Sequence, residues 1–146
     1  MVSPVEIPPG ERRPSGAGFI SVSERELDAT TTQITVEGEL DLATAPRLKW
    51  PLLDSVKAGK TRLLIDLMGV SFIDSTALSV LVAAHRKLPA GARMAIAATN
   101  QNVLRIFVVA GLDAAFDIFP TVEEARAHLG DGGGHPADIE EWASRS

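Results

Sequence analysis

Val70-Ser71-Phe72-Ile73-Asp74-Ser75-Thr76-Ala77-Leu78-Ser79-Val80-Leu81 is the stretch on which the reading of this chain turns. A strand ends near Leu67, a short loop follows, and Asp-Ser-Thr stands where a nearly all-apolar helix begins. Three consecutive oxygen-bearing side chains at that point are suited to accept from the free N–H groups of the first helical turn. Ordinary capping accounts for the pattern. The same physics suits a phosphate, because N–H groups and the positive end of the helix dipole face an added negative charge. A hydroxyl there can take a phosphoryl group without melting the helix beneath it. On the residues alone both readings stand.

Working outward, residues 62–67 (Arg-Leu-Leu-Ile-Asp-Leu) are apolar on both faces, as in a central strand covered by helices. The helix that follows spans about 75–88 and is ended by Pro89-Ala90-Gly91. Residues 93–97 read as a further buried strand. Residues 101–110 read as a helix with Val103, Leu104, Phe107 and Val108 inward, closed by Gly111. Ile118-Phe119 is a brief edge strand, and a last helix over 122–129 has Thr121 as its cap.

Upstream, Phe19 and Val22, then Gln33-Ile34-Thr35-Val36, read as two strands joined through the polar stretch 23–32. The next helix has Thr44 as a cap near Pro46 and Leu48, Leu52, Leu53 and Val56 as its apolar set. Pro51 inside it removes a main-chain bond to residue 47 and predicts a kink. Strands alternating with helices after an initial strand pair specify an α/β fold. It has a mixed sheet of four to five strands and about four helices.

Composition bounds the function. The 146 residues suit one domain, and with 45% hydrophobic and 23% charged residues the chain can bury a core. No run of ~18 apolar residues predicts a membrane helix, and the first residues hold no apolar segment of a secretory signal. A cytoplasmic protein is expected. Cysteine is absent, which excludes thiol catalysis and cysteine-ligated metal. The net charge of -5 argues against direct nucleic-acid binding. Residues 1–16 are rich in Pro and Gly, and 131–146 open with Asp131-Gly132-Gly133-Gly134 and continue acidic. Both read as flexible tails around a body of residues 17–130.

Catalytic readings find little support. Ser75 with His85 lacks the Gly-x-Ser-x-Gly elbow, and ten residues of helix separate the two by nearly three turns. His85, His128 and His135 have no zinc-ligand spacing. The glycine run at 132–134 is followed by no Lys-Ser/Thr and reads as a linker, not a phosphate loop. Trp50 reads as core or incidental packing; nothing explains Trp142. Neither an enzyme, a cofactor nor a metal is expected.

A family resemblance adds to this. Gly38-Glu39-Leu40-Asp41 at a strand end, Asp66 closing the next strand, residues 71–78, then Asn102-Val103-Leu104-Arg105-Ile106-Phe107 and Gly111-Leu112 resemble the STAS domain of anti-sigma-factor antagonists. The resemblance covers about residues 17–130 with the motifs in order. It implies a partner that is both anti-sigma factor and serine kinase, with a serine phosphatase to reverse the modification. The phosphorylated residue would be the serine after the loop aspartate, Ser75. The unphosphorylated domain would bind the anti-sigma factor and free the sigma factor, and the phosphate would weaken that binding. Asp41, Asp74, Ser75, Thr76 and Ser79 would form the partner-facing surface. The commonest family pattern is Asp-Ser-Ser-Gly-Leu-Gly; here Thr76 replaces the second serine, and Ala77 and Ser79 replace the two glycines. Those replacements are expected to bear on which kinase docks. Since some relatives are implicated in handling nucleotides or lipids, a module binding such a small ligand is the alternative.

Overall fold

The computed structural model describes residues 20–113 and 115–131. The tails read at residues 1–16 and from 132 onward, with Phe19, His135 and Trp142, lie outside the described residues. Nine elements follow one another. They are β1 (Ile20–Glu26), β2 (Thr31–Leu40), α1 (Ala45–Lys57), β3 (Arg62–Ile73), α2 (Ser75–Arg86), β4 (Arg93–Ala97), α3 (Gln101–Val109), β5 (Asp117–Phe119) and α4 (Val122–Asp131). The strands form one mixed sheet in the order β1-β2-β3-β4-β5. β1 pairs antiparallel with β2, and every later neighbour is parallel.

Side-chain alternation along the sheet sorts the helices into two layers. Leu63, Ile65 and Leu67 of β3, with Met94 and Ile96 of β4, point to the face covered by α1, α2 and α3. There Leu48 and Leu52, Leu78 and Leu81, and Val103, Leu104 and Phe107 complete the main core. Leu64, Ala95 and Ala97 point the other way, into a smaller cluster with Phe119 and with Ala125 and Leu129 of α4. The two-sided apolar reading of the central strand is therefore right over Leu63 to Ile65. Burying one such leucine stabilises by about 1.5–3 kcal/mol, which explains why this strand organises the fold.

Several limits differ from the sequence reading. β1 continues through Ser23 to Glu26, residues taken for a connector, because an exposed edge strand can be polar on its outward face. The central strand does not end near Leu67; it runs to Ile73. Its register against β2 slips between Thr35/Glu37 and again between Gly38/Glu39, each slip leaving one extra residue on β3. Inward positions therefore pass from every second residue (Leu63, Ile65, Leu67) to every third (Val70, Ile73), hiding the strand from a period-two reading. Asp66 Oδ1 accepts the Met68 N–H at 3.0 Å within the first bulge. Gly38 has φ +115°, a conformation that side chains rarely adopt.

The helix starts differ too. Thr44 occupies the N-cap position of α1 but makes no side-chain cap. Its hydroxyl turns back to donate to the Glu39 carbonyl at 2.7 Å and to accept from the Asp41 N–H at 2.9 Å. α1 passes through Pro51 as one helical run, and Trp50 points outward at 59% exposure instead of packing in the core. Thr121 does cap α4, accepting from Glu124 N–H at 3.0 Å, and that helix continues past Leu129 and Gly130 to Asp131. No described helix is long and apolar enough to cross a membrane.

Candidate functional site at the start of α2

The carboxyl ends of β2 and β3 lie side by side, Leu40 opposite Ile73, so the two loops that leave them meet. One loop carries Asp41 and leads into α1; the other is the single residue Asp74, which leads straight into α2. Asp74 joins them. Its N–H donates to the Leu40 carbonyl at 3.0 Å. Its Oδ1 accepts the Ala77 N–H at 3.1 Å, and its Oδ2 accepts the Leu42 N–H, also at 3.1 Å. One carboxylate thus caps α2 and pins the β2–α1 loop across 32 residues of sequence.

Asp41 shapes the turn that leads into α1, a helix with no side-chain cap. Its Oδ1 accepts N–H donors from Ala43 at 2.9 Å and Thr44 at 3.0 Å, and its carbonyl accepts the Ala45 N–H at 2.8 Å. Both aspartates are half-buried, and their carboxylates bind backbone N–H groups around the two helix starts.

Ser75 is the first helical residue and is exposed. Among the described residues its hydroxyl makes no hydrogen bond; of the three oxygen-bearing side chains read as candidate caps, Asp74 does the capping and leaves Ser75 free. The first turn of α2 contains no acidic residue, so the helix-end field there faces no charge beyond the Asp74 carboxylate. Thr76 is half-buried beside it. Ser79 is exposed, but its hydroxyl donates to the Ser75 carbonyl at 3.0 Å, one turn back. The five residues singled out from the sequence therefore gather at one end of the sheet, on two joined loops and the first turns of α2.

Two apolar side chains that the sequence reading passed over are also presented here. Leu42 is 72% exposed on the loop that Asp74 pins, and Phe72 is 46% exposed two residues before Asp74. The exposure of a large apolar side chain, which sequence does not show, is what marks them. His85 is exposed, with its ring edge-on to Phe116 at 5.1 Å. His128 was read only as a non-ligand; it is buried, with Nε2 2.9 Å from Asp117 Oδ2 and its ring against Phe119. That pair fastens α4 to β5. No cluster of three or more metal-ligating side chains occurs among the described residues.

Similarity to known proteins agrees with this architecture. The STAS domain family model matches residues 23–125. The anti-sigma-B factor antagonist of Listeria monocytogenes is 36% identical over 101 residues, covering 68% of this chain and 88% of its own. The anti-sigma-F factor antagonist RsfB of Mycobacterium tuberculosis is 32% identical over 92 residues, covering 63% and 75%. Among solved structures, an anti-sigma factor antagonist from Mycobacterium paratuberculosis superposes with a TM-score of 0.73 at 29% identity, over 77% of this chain and 96% of that one. The unphosphorylated anti-sigma factor antagonist SpoIIAA shares the fold, with a TM-score of 0.66 at 20% identity over 79% of this chain and all of its own. A mixed sheet whose Asp-Ser corner joins two helix starts, matched from β1 into α4 by one family model, has one reading: the chain belongs to the STAS domain family.

Proposed function

We propose that this protein is an anti-sigma-factor antagonist switched by phosphorylation of Ser75. In this reading the unphosphorylated domain binds an anti-sigma factor that is also a serine kinase, and the sigma factor is released. The kinase then transfers the γ-phosphoryl group of ATP to Ser75 Oγ, ADP leaves, and the modified domain is released until a serine phosphatase restores the hydroxyl. The domain itself is a binding protein and does no catalysis.

The observation that carries the reading is the state of Ser75: exposed, first in α2, its hydroxyl unengaged while Asp74 does the capping. A phosphate there adds about -1.5 to -2 charges beside helix N–H groups that favour it. The fold has no reason to rearrange. The partner has every reason to let go, because a dianion must be desolvated against a surface shaped for a neutral hydroxyl. Leu42 supplies exposed apolar surface on the loop that Asp74 pins beside this point, and Asp41 and Asp74 hold the loops that present it.

Purified protein incubated with ATP and each anti-sigma kinase of its source organism tests the proposal. Phosphate is expected on Ser75 of the wild type and absent from Ser75→Ala, with Ser75→Ala still bound to the kinase. Wild-type incorporation in Ser75→Ala would move the site to another hydroxyl, Thr76 first. A nucleotide or lipid that co-purifies, with no phosphorylation by any kinase, would replace the switch by a ligand-binding module.

A further inference from the structure

A groove of about 400 Å³ begins at Ser75 and follows the outer side of α2 to Arg86. Its floor is mainly apolar, made by Leu78 and Val82 of α2 and by Ala110 and Leu112 beyond the end of α3. No carboxylate lines it, and the one polar side chain along its middle, Ser79, has donated its proton to the Ser75 carbonyl. Arg86 closes the far end. It is exposed and has no ion-pair partner among the described residues. Eleven residues of helix place it ~16 Å from Ser75.

Resting on the reading of Ser75 above, we propose that this groove seats one apolar segment of the anti-sigma partner, and that Arg86 selects the partner by pairing with a carboxylate on that segment. The groove is continuous with the proposed phosphorylation site, so a partner that covers Ser75 and extends along α2 must cross it. Its open shape and lack of converging polar groups suit a protein side-chain ridge better than a small ligand, whose sites are enclosed and carry placed donors and acceptors. The positive charge comes only at the end, where a planar guanidinium recognises a carboxylate through two parallel hydrogen bonds. Arg86 is thereby a specificity residue ~16 Å from the switch, and different partners can be told apart without changing Ser75.

The test titrates the full chain against the purified anti-sigma factors of the source organism loaded with ADP, so that no phosphoryl group reaches Ser75 during the titration. The variants are Ser75→Glu, Ala83→Trp, Arg86→Glu and Arg86→Lys; Ala83 lines the groove but is exposed, so the tryptophan fills it without entering the core. Ala83→Trp and Arg86→Glu are each expected to raise Kd at least tenfold with an unchanged melting temperature. Arg86→Glu should also flatten the salt dependence of association, and Arg86→Lys should recover part of the affinity. If the wild type binds, Ser75→Glu does not, and both groove variants bind like the wild type, the groove proposal is overturned while the reading of Ser75 stands. A dimer of this chain that Ala83→Trp abolishes, with partner affinity unchanged, overturns it in favour of self-association. Binding of the wild type to none of the anti-sigma factors removes both.

Discussion

At the scale of single residues, the corner between β2 and α2 divides its labour. Asp74 holds structure and leaves the Ser75 hydroxyl unengaged. Replacing Asp74 with Ala removes the acceptor for both Ala77 N–H and Leu42 N–H, and is expected to cost about 0.5–2 kcal/mol in urea unfolding, as a lost helix cap does. Asp74→Asn, which keeps an oxygen acceptor, should recover most of it. Ser75→Ala removes a hydroxyl with no intramolecular partner, so its unfolding free energy should stay within about 0.5 kcal/mol of wild type. A loss of more than ~1 kcal/mol in Ser75→Ala would mean that the hydroxyl shapes the helix start after all. Sequence alone could place Asp74, Ser75 and Thr76 at a helix start, because Asp-Ser-Thr before an apolar run has few other uses. It could not apportion the roles among them, since that depends on which oxygen meets which N–H. The same ambiguity leaves α1 without the side-chain cap expected from Thr44: the loop geometry turns the threonine hydroxyl toward the Glu39 carbonyl, and Asp41 instead binds the N–H groups of Ala43 and Thr44 just before the helix.

At the scale of elements, β3 is the informative case. Its first half announces a buried strand because both faces are apolar from Leu63 to Ile65, where α1 to α3 and α4 cover it, and Leu67 continues the inward face. The second half is silent, because two bulges convert a two-residue repeat into a three-residue one, and Gly69 and Ser71 fall among the apolar positions. Those bulges matter to the site: they decide how the strand delivers Ile73 and Asp74 next to Leu40. Gly38 lies at the second slip with φ +115°, so Gly38→Ala should destabilise by more than ~1 kcal/mol, readable as a lower urea midpoint. A neutral result would show that this turn tolerates a side chain. Gly69 is constrained differently. A Cβ there would fall 2.7 Å from Glu37 Cγ on the paired strand, which leaves the Glu37 side chain to move if any larger residue is introduced. In the core, Leu81 is fully buried on the inner face of α2, and Leu81→Ala should cost about 2–5 kcal/mol in the same experiment.

At the scale of the whole molecule, the sheet and its two helical layers form a scaffold, and in the proposed function the loops at one end do the recognising. The main core reaches from β1 through the first three helices, and the second cluster with the Asp117–His128 pair secures α4 on the opposite face. That pair was not legible in sequence: the two residues are separated by eleven positions and meet only when β5 and α4 pack. On the proposed function, a scaffold buried on both faces is expected not to bend for one added phosphate. Backbone amide shifts of the Ser75-phosphorylated protein should therefore differ from those of the unmodified one mainly around residues 40–44 and 72–79, with β4, β5 and α4 unchanged. Shift changes spread across the sheet would mean that the switch works by refolding. The central claim, that a charge on Ser75 turns partner binding off, is tested most directly by titrating one anti-sigma factor with the two forms of the purified protein. The account predicts that the phosphorylated form binds at least tenfold more weakly, a difference of about 1.4 kcal/mol or more; equal affinity of the two forms for the same anti-sigma factor would contradict it.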